Sequence, residues 1–121
     1  MNFVIVNDGY YNEILKRLSL FVPDFEINDD EPYLVLFEFS QYMIENIENE
    51  PVLLKCVSFI SDAVLNGGYK THEAIALQVF QVLYYRKSHV EICRKYLSKE
   101  ALVLFEKYFI EYLKDYKQSN E

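Results

Sequence analysis

The chain has 121 residues, 51% hydrophobic and 26% charged, with 11 Tyr, 9 Phe and no Trp. That length suits one domain that buries a core without disulfide or metal staples, and the aromatic content excludes a disordered chain. The formal charge of −7 is uneven: residues 1–50 hold 11 acids against Lys16 and Arg17, a balance of −9, whereas residues 51–121 hold 8 acids against 10 bases, a balance of +2.

Asn7-Asp8-Gly9 starts the first helix, with Asp8 as N-cap because a carboxylate satisfies orphan amides of the first turn. Tyr11, Ile14, Leu15, Leu18 and Phe21 follow at spacings of three and four, and Pro23 ends the helix by pushing Val22 out of the helical region. Residues 2–6 read as an extended arm or an early start of that helix, since one isolated strand has nothing to pair with. Residues 24 to about 31 form an acidic loop. Asp29 or Asp30 is expected to cap the second helix, with Pro32 in its first turn and Leu36, Phe39, Met43 and Ile47 as its inner stripe. Leu34, Val35, Phe37, Tyr42 and Ile44 widen the stripe, which marks a central helix ending near Glu48.

Asn49-Glu50-Pro51 repeats the start grammar of cap, acid and proline. Helix three carries Leu53, Cys56, Val57, Ile60 and Val64 on one face, and Asn66-Gly67-Gly68 stops it through a left-handed glycine. Thr71 is expected to cap helix four, with Ala76, Val79, Phe80 and Leu83 inside. Ser88-His89-Val90-Glu91 has the capping-box spacing of a fifth helix to about Leu97. Ser98 starts a sixth with Leu102, Phe105, Phe109, Tyr112 and Tyr116 at helical intervals. The expected fold is therefore all-α: about six short antiparallel helices in one domain over 1–121, with an arm at 1–7 and a frayed tail at 117–121. Helix pairs of about 35 residues have the size of helical-repeat units.

No motif for catalysis emerges. Cys56 and Cys93 sit in apolar helical patterns and read as reduced, packed residues. His89 and Cys93 share a face, but a structural zinc site needs four ligands and no second pair is spaced for it. His72 reads as exposed beside a cap. Gly67-Gly68 follows a helix and makes no phosphate loop. Glu38 and Glu45 share a face of helix two without evident burial, so nothing tunes them for acid–base work. No metal, cofactor or catalytic residue is expected. No run of 18 apolar residues is present to span a bilayer, and Asn2–Asp8 lacks a basic signal region, so a cytoplasmic chain without membrane association is the expectation.

Charge points to a protein partner instead. Asp24, Glu26, Asp29, Asp30 and Glu31 fall in eight consecutive positions, a field that repels phosphate backbones and disfavours nucleic acid. The segment Tyr84-Tyr85-Arg86-Lys87 with Arg94, Lys95, Tyr96 and Lys99 has the interleaving of a single-strand binder, but Glu91 and Glu100 dilute it. These bases are expected either to complement the acidic loop or to favour a helix C-terminus. Tyr33 follows the acids directly, and an aromatic anchor rimmed by carboxylates suits protein binding as well as a core margin.

Val22-Pro23-Asp24-Phe25, the acidic gap, Phe37-Glu38-Phe39-Ser40-Gln41-Tyr42-Met43-Ile44 and the Tyr96-Leu97-Ser98-Lys99-Glu100-Ala101 hinge together resemble small helical bacterial proteins of uncharacterised or toxin-immunity type. The resemblance spans residues 10–110 in its rhythm of short helices around an acidic loop. It implies a non-enzymatic protein that neutralises one cognate toxin, but carries over no site residue. The charge pattern itself supplies the expected binding face, Asp24, Glu26, Asp29, Asp30, Glu31 and Tyr33, which would cover a basic face of that toxin. The alternative is a helical adaptor that binds a peptide or forms a homodimer; the oligomeric state, monomer or homodimer, separates the two.

Overall fold

The computed structural model describes residues 8–116, and the arm and tail expectations lie outside them. The fold is all-α. Helix α1 spans Gly9–Asn12, α2 Ile14–Phe21, α3 Pro32–Glu45, α4 Glu50–Asn66 and α5 Tyr69–Ile75. A π-helical segment, Ala76–Phe80, continues α5 into α6, Gln81–Leu83; α7 spans Lys87–Tyr96 and α8 Lys99–Asp115. Among the described residues these make six rods, as the apolar spacing predicts, but the first is broken at Glu13 and the fourth carries the π segment.

The core forms where the stripes meet. Leu53, Cys56, Val57, Ile60 and Val64 of α4 are all buried, as are Ala76, Val79, Phe80 and Leu83 of the fourth rod. Phe80 and Phe105 pack edge to face with centroids 5.0 Å apart, and Tyr84 joins them with its hydroxyl donating to the Phe105 carbonyl at 2.6 Å. Each fully buried ring of this kind contributes roughly 2–3 kcal/mol of apolar burial. The π segment packs against α3, α5, α6 and α8, which makes it the hub of the molecule. Helix α3 packs on α2, α4, α5, α6 and the π segment, although its Leu34 and Phe37 remain exposed.

Two start signals act as expected, and the others do not. Asp8 caps α1 through Tyr11 N–H at 3.1 Å, and Ser98 caps α8 through Ala101 N–H at 3.3 Å. Helix α3 is capped by Glu31, whose carboxylate accepts from Tyr33 N–H at 3.0 Å; Asp29 accepts instead from Glu31 N–H at 2.9 Å. Thr71 lies inside α5, and its N–H donates to Asp8 Oδ2 at 2.7 Å, so one carboxylate from 63 residues away caps a second helix. Ser88 lies inside α7, which starts at Lys87 without a side-chain cap. Gly67 is extended, with φ −86°, and needs no left-handed conformation. Its role is space: a Cβ there would collide with Thr71 Cγ2 and the Ala63 carbonyl oxygen.

A candidate partner-binding surface

The acidic segment alternates. Phe25 and Ile27 point inward and pack on the core, whereas Asp24, Glu26, Asn28, Asp29, Asp30 and Glu31 are exposed. Phe25 makes an edge contact with Phe39 at 5.8 Å and lies 5.2 Å from the Tyr42 ring. The apolar residues thus fasten the segment while the acids project outward.

The five acids divide by what they touch. Asp29 and Glu31 hold backbone amides of the α3 start. Asp24 lies 4.0 Å from Lys55, with both side chains largely exposed, a pair of little energetic weight. Among the described residues, no lysine or arginine lies within salt-bridge distance of Glu26 or Asp30. The expectation that the α7 bases complement this loop is not met. Arg94 instead directs its fork to Glu106 of α8 at 2.6 and 3.1 Å and also meets Glu91 at 3.0 Å. Arg94 and Lys95 occupy the last turn of α7, where cations favour the helix dipole.

Tyr33 stands at the edge of the core. Its ring meets Tyr11 edge-on at 6.4 Å, and its hydroxyl donates to Glu73 of α5 at 3.4 Å. Burial first, then the charge of Glu73, raises the Tyr33 hydroxyl above its ordinary range. Two further groups complete the face. Lys70 of α5 places its ammonium 4.4 Å over the Tyr11 ring. Tyr69, 67% exposed, has its hydroxyl raised by the nearby Glu73 carboxylate. The charge of Glu31 also reaches the Tyr11 and Tyr33 hydroxyls, so the loop and the tyrosines share one electrostatic surface. Sequence reasoning selected Tyr33 but missed Tyr11, Tyr69, Lys70 and Glu73. Their periodicity gives no hint that α5 lies beside the start of α3.

Glu38 and Glu45 are exposed on α3. His89 and Cys93 are buried on α7, and no group of three His, Cys, Asp or Glu side chains is placed to hold a metal among the described residues. Burial pushes the Cys56 and Cys93 thiols up to about 12, which keeps them protonated. His72 is not simply exposed: its Nε2 lies 2.7 Å from the Val64 carbonyl and satisfies an orphan acceptor at the end of α4. Among the described residues no helix is long and apolar enough to cross a membrane. Compared with known proteins, the chain matches no family model, no curated protein and no solved structure.

Proposed function

We propose that this chain is a non-enzymatic protein-binding protein of the toxin-immunity kind, which covers a basic face of a cognate toxin with its acidic, tyrosine-bearing surface. The observation that carries this reading is the outward pair Glu26 and Asp30, exposed and unmatched by a described cation, on a segment fastened by Phe25 and Ile27. A surface already held in place loses little entropy on binding. Complementary charge accelerates encounter, and the aromatic side chains slow dissociation. Occlusion suffices, and no turnover by this chain is required. Co-expression with the product of the adjacent reading frame tests it: a basic toxin should be captured by the wild type and lost by the variant Asp24→Lys/Glu26→Lys/Asp30→Lys. Capture unaffected by that reversal removes the loop from recognition.

One observation favours the adaptor reading. Two adjoining cavities of about 450 and 430 Å³ meet at Glu100 between α4 and α8. Leu54, Leu65 and Val103 line them while remaining 45%, 66% and 65% exposed. Light scattering separates the readings: a monomer supports immunity, and a stable dimer supports the adaptor.

A further inference from the structure

We infer that Asp8 is a positioning residue for this surface, fixing the Tyr11–Lys70 contact by capping the two helices that carry it. Its carboxylate is buried, with Oδ1 accepting from Tyr11 N–H and Oδ2 from Thr71 N–H. The contact partners lie at those same points in the chain: Tyr11 owns one capped amide, and Lys70 immediately precedes the other. Helix α5 has no cap of its own, because its N-cap residue is Gly68. A Cβ at Gly68 would come within 3.2 Å of Asp8 Oδ2, so the missing side chain leaves room for the carboxylate. Helix α1 contributes no buried residue, and besides Asp8 the hydrogen bond from Tyr10 to Asp62 at 2.7 Å ties it down. Tyr10 reaches α4, and the Tyr11 ring reaches α5 only indirectly, through Tyr33 and its Glu73 partner, whereas Asp8 accepts directly from an amide of each helix. Lys70 adds a cation beside the tyrosines of this face, so where it sits shapes the field a partner meets. That last consequence rests on the proposed function; the positioning itself does not.

The test uses the isolated chain. In the wild type, the ε-methylene protons of Lys70 should be shifted upfield by the Tyr11 ring, and Tyr11→Leu gives the zero of that shift. Asp8→Ser retains a local cap for Tyr11 but is too short to bridge to Thr71. It should abolish the Lys70 shift and raise Thr71 amide exchange roughly tenfold, while Tyr11 exchange changes little. Asp8→Ala should abolish the shift and expose both amides. Should Asp8→Ala not fold, the Asp8→Ser result alone decides. A Lys70 shift that survives in folded Asp8→Ser overturns the inference, as do wild-type protection factors for Tyr11 and Thr71 that differ by more than about tenfold. None of these readouts involves a partner, so their failure leaves the immunity reading to its own test.

Discussion

Asp62 and Glu106 on one side, and Glu26 and Asp30 on the other, are the same functional group in opposite settings. Asp62 receives Arg17 at 2.9, 3.0 and 3.1 Å, Tyr10 at 2.7 Å and Asn66 at 2.9 Å, and only 13% of its side chain is exposed. Glu106 holds the fork of Arg94. Glu26 and Asp30 face solvent without a described cation. The difference follows from how bases are distributed. Residues 1–50 contain only Lys16 and Arg17, and Asp62 of α4 already holds Arg17. The acidic loop therefore has almost nothing local to neutralise it, whereas in the C-terminal part Arg94 lies between Glu91 and Glu106 and pairs with both.

The largest effect is expected where a carboxylate is enclosed. Asp62→Ala leaves Arg17 and the Tyr10 hydroxyl without their acceptor and should cost about 2–3 kcal/mol in urea unfolding. Asp8 follows. Its burial opposes ionisation, but the backbone amides of Thr71, Gly68 and Tyr11 hold its carboxyl below the ordinary value of 3.8. A lowered folded-state pKa means that its stabilisation is fully present above the unfolded value and is lost as pH falls through the folded one. Asp8→Asn should flatten that part of the acid limb in a pH series of unfolding midpoints. Arg94→Ala should cost about 0.5–1 kcal/mol, since the Glu106 pair is partly exposed and its packing over Phe109 is lost with it.

Much of the rod pattern was legible beforehand. Proline at 23, 32 and 51 fixes ends and starts through steric exclusion, and the 3.6 period picks out buried Leu53, Cys56, Val57, Ile60 and Val64 of α4 and buried Phe105, Phe109 and Tyr112 of α8. It fails at the ends of the α8 stripe, where Leu102 is half-buried and Tyr116, the C-cap, is exposed. The break at Glu13 and the π segment at Ala76–Phe80 escaped, because both leave the apolar spacing intact while changing the backbone. The caps escaped for a different reason. Ser88 and Thr71 have the right chemistry near a helix start, but capping is decided by which acceptor reaches the amide, and Asp8 reaches Thr71 from 63 residues away. In the candidate surface, the alternation of Phe25 and Ile27 with acids is visible in the sequence as a period of two. The neighbours supplied by α5 could not be read locally.

The smallest effect on stability, and the largest on recognition, is expected at the loop. Asp24→Lys/Glu26→Lys/Asp30→Lys disturbs no buried contact and should move folding stability by no more than about 0.5 kcal/mol. Asp29 and Glu31 sharpen the contrast: Glu31→Ala removes the α3 cap and should cost about 1 kcal/mol by the same assay.

Titration calorimetry of the wild type and the triple-lysine variant against the partner that the proposed co-expression captures, with urea unfolding of both, measures the central claim directly. The account predicts an affinity reduced at least tenfold with unfolding free energy held within about 0.5 kcal/mol. Unchanged affinity combined with a clear loss of stability would contradict it, and would assign those carboxylates to the fold.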